Sequence, residues 1–371
     1  MEILSEDNQM LRDAATGFLT KTMPVSAFRE MRDRNDPLAY DKAAFDETAA
    51  LGWMGLVLPE AVGGANFGYR AAGVIAEEIG RNLSALPFHS TAVLAATVLR
   101  SIGGDVLTNW GQGLASGETL VALAIDETNK HRPNQITTTA VANGDGFILT
   151  GRKVFVVDGV GADHLIATAM LDGELALFWV DPSADTTTLH PQIMLDARNA
   201  ASVSFDGQSL PAAALLAKGD LAQTALDAAL RAGRTVVAAE QLGIARACAQ
   251  QTNEYLRTRK QFGTLIGNFQ ALQHRASDLY CEIEQTASLI AAALNAIDAN
   301  AENAEALTRA AKAKAAKTGR LATEEAVQMH GGIGMTDEMD LGLYMKRDRA
   351  LAEFLGDRAC HIEWLLRNKG V

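Results

Sequence analysis

Two stretches, Arg259-Lys260-Gln261-Phe262-Gly263 and Gln328-Met329-His330-Gly331-Gly332-Ile333-Gly334, decide how this chain is read. Both fall within long segments of helical periodicity, where a glycine costs about 1 kcal/mol relative to alanine. Something must offset that cost. Adjacent glycines let main-chain amides approach a phosphate or a ring closely, and an arginine offers a fixed fork of donors suited to a pyrophosphate. Together the stretches point to a dinucleotide held between helices. Either stretch alone is explained equally well by a helix cap or a surface salt bridge.

Around them the chain is helical and rich in alanine from Asp220 onward, with long segments near Leu221 to Arg257, Phe269 to Ile297 and Asn303 to Met329. Helices of that length with broad apolar faces pack as an antiparallel bundle, so 220–371 is read as a C-terminal helical bundle domain. From 119 to 219 the texture changes to short β-branched or alternating runs: Thr119 to Ile125, Phe147 to Val157, Leu165 to Met170, Leu175 to Val180 and Ala201 to Phe205. Asn143-Gly144-Asp145-Gly146, Asp158-Gly159, Asp172-Gly173 and Asp206-Gly207 punctuate them. That is a small antiparallel, barrel-like β-domain. Residues 1–118 show apolar spacing of three and four, broken by the loop from Pro59 to Gly68, and form a helical N-terminal domain.

Composition bounds the function. The chain has 371 residues, 48% of them hydrophobic, enough for two or three packed domains. With 33 basic against 45 acidic residues the formal charge is −12, which argues against nucleic acid or an anionic membrane as a general partner. The start, Met1-Glu2-Ile3-Leu4-Ser5, has no basic region followed by an apolar core, so no signal peptide is expected. The apolar run Leu289 to Ile297 is far short of the ~20 residues that span a bilayer. Cys248, Cys281 and Cys360 are odd in number and widely spaced, which fits a reducing cytoplasm. No histidine pair has helical metal-ligand spacing, so no metal site is expected. No GxGxxG opens a helix after a strand, so a Rossmann dinucleotide site is not supported.

The two stretches, in this order within a helical C-terminal region, make the sequence resemble the acyl-CoA dehydrogenase family over nearly its whole length. The resemblance implies the helical, β, four-helix-bundle architecture, and FAD extended between the β-domain and the bundle with its adenosine diphosphate end crossing into a neighbouring subunit. It places Arg259, Gln261, Phe262, Phe269, Gln270, Gln328, Met329, His330, Gly331 and Gly332 at the adenine and pyrophosphate contacts. Tyr255 and Arg347-Asp348 also fit the family pattern. On the flavin-ring side, relatives carry Thr-Glu-Pro followed by Gly-Ser-Asp. Here the stretch reads Ala124-Ile125-Asp126-Glu127-Thr128-Asn129-Lys130-His131, and the Gly-Ser-Asp is missing. After Gly151-Arg152-Lys153 the ring contact corresponds to Phe155, Val156 and Val157, a segment that reads equally well as an ordinary strand.

The implied reaction removes a proton alpha to a thioester while hydride leaves the beta carbon for flavin, and it needs a carboxylate base. The usual position falls on Gly356 or Leu355, and an alternative one, at the start of the first bundle helix, on Gly233. Neither can take a proton. Glu240, nearly two turns beyond Gly233 on one helix face, is the remaining candidate, set against its reading as a polar contact or ion pair inside the bundle. Glu353 and Asp357 are weaker candidates, read as solvated or ion-paired loop residues. Arg234 matches a substrate-adjacent family residue, or is an interface salt bridge, and small Ala238, Ala239 and Gly243 leave room for a wide substrate.

Two functions follow. One is an FAD-dependent acyl-CoA dehydrogenase passing electrons to an electron-transfer flavoprotein, as a homotetramer. The other is the partner subunit of a heterotetramer that acts on bulky or steroid-type acyl-CoA and draws its base from a second chain. A flavin oxidase or monooxygenase on the same fold is a further alternative.

Overall fold

Alternating apolar residues and Asp-Gly turns build a mixed sheet in the middle of the chain. A computed structural model describes residues 4–370. Its strands are β1 Val121–Ala124, β2 Thr139–Asn143, β3 Gly146–Val157, β4 His164–Leu171, β5 Glu174–Val180, β6 Thr187–Ile193, β7 Asn199–Leu210 and β8 Leu215–Lys218. The sheet runs β6-β7-β3-β2-β4-β5-β8, with β1 added against β4. Two of its pairings, β1 with β4 and β2 with β4, are parallel, so the domain is mixed where an antiparallel one was expected. The order ends on different strands and, among the described residues, closes no barrel.

Asp172 and Gly173, with φ of 53° and 82°, form the two-residue turn joining β4 to β5, the positive-φ geometry that Asp-Gly favours. Asp206-Gly207 does not end a strand. β7 continues to Leu210 through a bulge at Gly207, which has φ 70°. β6 escapes sequence detection because it is an edge strand, mostly exposed and carrying Pro191, which an edge tolerates.

The helices are α1 Glu6–Thr22, α2 Val25–Arg34, α3 Lys42–Ala50, α4 Gly68–Asn82, α5 Ala96–Ile102, α6 Gly104–Ser116, α7 Asp220–Thr258, α8 Gln270–Asp298, α9 Ala304–His330, α10 Leu341–Glu353 and α11 Arg358–Asn368. A π-helical segment, Phe88–Ala95, precedes α5, and a short hairpin of β9 Lys260–Gln261 and β10 Thr264–Leu265 follows α7. The described C-terminal region holds three long helices and two short ones, with α9 packed against α8, α10 and α11. Gly233 and Arg234 lie well inside α7, which begins at Asp220, and not at a helix start.

The chain divides into two units. One combines 4–30, 69–84 and 234–370; the other combines 31–68 and 85–233, and includes the sheet. In the first, α4 meets α7 at glycines on both sides. A Cβ on Gly243 would lie 1.9 Å from the Glu77 carbonyl oxygen, and one on Gly80 would lie 2.1 Å from that of Glu240. The backbones therefore touch where any larger residue would separate them. The second unit's core is the inward face of the sheet, including Leu149, Val156, Leu165, Phe178, Val203 and Phe205.

Candidate active site

The deciding stretches both leave their helices. α7 ends at Thr258, and Arg259 to Leu265 turn back through a two-residue hairpin whose central residues, Phe262 and Gly263, have φ of 53° and 80°. An aromatic residue rarely adopts positive φ, and such strain persists where surrounding structure or function demands it. α9 ends at His330, and Gly331, at φ 67°, donates its N–H to the Gln328 and Val327 carbonyls as a C-cap. The glycines sit where helices stop, which removes the helix-interior cost that made them conspicuous.

The fold brings the two stretches together within the first unit. Leu256, Ile266 and Met329 form one buried cluster, with Tyr255 and Leu272 against it. Tyr255 stacks on His330 at 4.3 Å between ring centroids. His330 is buried and its Nδ1 is 2.7 Å from the Ala326 carbonyl, which makes Nδ1 the protonated nitrogen and leaves Nε2 a buried acceptor with no hydrogen-bond partner. Around this base the remaining residues are open to solvent. Phe262 is 90% exposed, Met335 is 79% exposed, and Phe269, Ile333, Arg259, Gln261, Gln270, Gln328, Gly331 and Gly332 are also exposed. Phe262 and Phe269 meet edge to face at 6.2 Å. A Cβ added to Gly331 or Gly332 would meet nothing within 4 Å. The surface is thus basic, aromatic and glycine-lined.

In the second unit, Phe155 is singled out by its backbone. It has φ 51°, is half-exposed and sits in a bulge of β3, where Val154 and Phe155 together face Ser202 of β7. Val154 donates its N–H to the Asp126 carbonyl at 2.7 Å, tying the bulge to the 124–131 stretch. Val156 is buried and Val157 partly so. Beneath it lies a pair that sequence reasoning passed over. Lys153, fully buried, donates to Glu127 Oε1 at 2.7 Å, to Thr168 Oγ1 at 2.8 Å and to the Ile125 carbonyl at 3.3 Å. Glu127 also accepts from Thr137 and from the Thr138 N–H. Burial pushes the Glu127 carboxyl up, but the Lys153 ammonium and the Thr137 hydrogen bonds outweigh it and hold it at about 2. Burial in turn brings Lys153 down to about 8. The sequence signal was the Gly-x-Lys itself. A Cβ on Gly151 would lie 2.5 Å from Thr138 Oγ1, so the glycine lets the loop close over the lysine.

Glu240 is fully buried and receives two hydrogen bonds from one guanidinium, 2.7 Å from Arg347 Nε and 3.0 Å from its terminal nitrogen. This is the ion-paired role weighed against a catalytic one. Asp357 caps α11, accepting from the Cys360 N–H at 2.8 Å, and Glu353 is exposed at the end of α10. Arg234, 3% exposed, donates to the Leu355 carbonyl at 3.2 Å and contacts Glu305 at 3.4 Å. Ala238 and Ala239 are buried, and the space at Gly243 is filled by the α4 backbone, so the expected room for a wide substrate is not found there. Among the described residues no group of acidic, histidine and cysteine side chains could hold a metal, and no helix is long and apolar enough to cross a membrane.

Comparison with known proteins decides the family. Residues 5–118 match the acyl-CoA dehydrogenase N-terminal domain and 223–369 match the C-terminal domain. The acyl-CoA dehydrogenase IpdE2 of Mycolicibacterium smegmatis is 33% identical over 358 residues, covering 95% of this chain and 96% of that one. The chain belongs to the acyl-CoA dehydrogenase family. Acyl-CoA dehydrogenases are oxidoreductases of the CH–CH group of acyl-CoA thioesters, and this chain is one of them. The Tcur3481-Tcur3483 steroid ACAD, solved as a single-substitution variant, superimposes with a TM-score of 0.89 at 28% identity over 98% of each chain. Butyryl-CoA dehydrogenase from Megasphaera elsdenii shares the fold, with a TM-score of 0.91 over the whole of both chains at 24% identity.

Proposed function

We propose that this chain is the base-lacking, FAD-holding subunit of a two-component acyl-CoA dehydrogenase that acts on a bulky, steroid-type CoA thioester. The observation that carries this reading is the absence of a carboxylate at the family's two base positions: 233 and 356 are glycine, and Glu240, the nearest alternative on α7, is engaged by Arg347. A second chain is then needed for the proton, and a steroid-type substrate is supported by the likeness to the Tcur3481-Tcur3483 steroid ACAD.

The residues present fit the adenosine diphosphate half of FAD. Arg259 offers a planar fork for a pyrophosphate, Gly331 and Gly332 leave open space above their backbone, and buried His330 Nε2 offers an acceptor. Phe155, aimed by its bulge, with Val156 and Val157, would meet the ring half, and the Glu127–Lys153 pair would fix the strand that carries them. When bound, the flavin supplies the hydride acceptor, and an electron-transfer flavoprotein would take the electrons onward. Arg234 acts here as a positioning residue for the 355–356 backbone.

The test is the absorbance spectrum and mass of the protein purified alone and after co-expression with an acyl-CoA dehydrogenase-like partner. Flavin and substrate-dependent bleaching gained only with the partner is the expected result. A yellow homo-oligomer bleached by an acyl-CoA on its own would overturn the divided site and return Glu240 to consideration as the base.

A further inference from the structure

The position at which relatives carry their carboxylate is more than empty in this chain. Leu355 and Gly356 have φ of 60° and 108°, conformations that L side chains rarely adopt, and both are buried. Their carbonyls, and those just before them, are held by three buried basic side chains. Lys312 donates to the Leu351 and Ala352 carbonyls at 2.8 and 3.1 Å, Arg234 to Leu355 at 3.2 Å, and His361 Nε2 to Gly356 at 3.0 Å. That hydrogen bond fixes the His361 tautomer with the proton on Nε2, and Nδ1 has no hydrogen-bond partner. A Cβ on Gly356 would lie 3.0 Å from both Cε1 and Nε2 of the His361 ring. Because His361 is fully buried and tied to the Gly356 carbonyl itself, the ring cannot swing aside without breaking that bond.

We propose that His361 is a positioning residue whose ring crowds the space a side chain at 356 needs, so that a carboxylate there requires the imidazole to give way. The inference deepens the divided-site reading and rests on position 356 being the family's base position. It makes the missing base a built feature of the loop, which the point substitution Gly356→Glu alone does not reverse.

The test is a double-mutant cycle on the full chain with Gly356→Ala, His361→Asn and both. Asparagine keeps a donor for the Gly356 carbonyl while removing the ring. Gly356→Ala is expected to shift the unfolding constant less in the His361→Asn background, with a coupling of about tenfold. The strain of positive φ remains in both backgrounds and cancels. Nitrogen NMR of labelled histidine supplies a readout that general destabilisation does not move: the His361 Nε2–H tautomer, with Nε2 perturbed by Gly356→Ala. Additive substitutions, or the Nδ1–H tautomer in the wild type, would overturn the proposal. So would failure of both the single and the double variant to fold, because removing the ring should relieve the clash. An additive cycle in a chain that still requires a partner removes this inference alone. A coupled cycle in a chain fully active by itself removes the divided site alone.

Discussion

Glu240 and Arg347 form a buried pair with two parallel hydrogen bonds, and removing one partner of such a pair leaves the other charge uncompensated. Glu240→Gln is therefore expected to cost about 3 kcal/mol of stability, measured by urea unfolding. A catalytic role predicts the opposite pattern, unchanged stability with loss of flavin bleaching. Arg259 presents the converse case. Its side chain is exposed, so Arg259→Gln should leave the flavin-free protein as stable as before. Flavin binding should weaken by roughly tenfold or more, the value of one charge-assisted hydrogen bond, read by fluorescence titration. The sequence exposed Arg259 through its neighbours Phe262 and Gly263. It could not show which base Glu240 faces, because Arg347 reaches it only after α10 has packed on the bundle.

At the scale of elements, the approach of α4 to α7 depends on Gly243 and Gly80. Gly243→Ala would place a methyl group on the Glu77 carbonyl and is expected to cost about 1–3 kcal/mol by overpacking, seen as a lower thermal midpoint. The sequence marks these residues as small, but smallness reads equally as room for a ligand or as contact between helices. α10 carries a second buried acid, Asp348, which accepts from Gln241 Nε2 at 2.9 Å and has one oxygen without a hydrogen-bond partner. Burial raises its carboxyl from 3.8 to about 6, against the pull of Gln241, Arg349 and Lys312. The native state thus holds this proton more tightly than the unfolded chain does. Stability falls as pH rises from about 4 to about 6, and the loss is complete above that, on the order of 3 kcal/mol. Asp348→Asn should abolish this slope and stabilise the protein at pH 7.5, a result checked by unfolding across pH.

Over the whole molecule, the residues assigned to the adenosine diphosphate half share one unit with a set of exposed apolar side chains, Phe262, Phe269, Ile333 and Met335. Under the proposed assembly, these exposed apolar groups around a polar site form the surface that another chain would cover. Met335→Glu is expected to lower the mass measured by light scattering and the flavin content together, while leaving the circular dichroism spectrum unchanged. Unchanged mass would place the subunit contact elsewhere. Under the divided-site proposal an acyl-CoA dehydrogenase chain could do without its own base, since the reaction needs a carboxylate at the site and not one from a particular chain.

Helical periodicity and turn dipeptides were enough to give the helix–sheet–helix order, because both act between near neighbours, and the Arg259 and Gly331 stretches carried the resemblance to the family. The Asp172-Gly173 turn is of this local kind. The parallel pairing of β1 and β2 with β4, the Glu127–Lys153 pair, the bulge at Phe155 and the His361 ring at Gly356 join residues distant in sequence or set by the partner strand. Tertiary structure alone decided these, since a buried charge or a closed loop is defined by what surrounds it, and the surroundings exist only once the chain has folded.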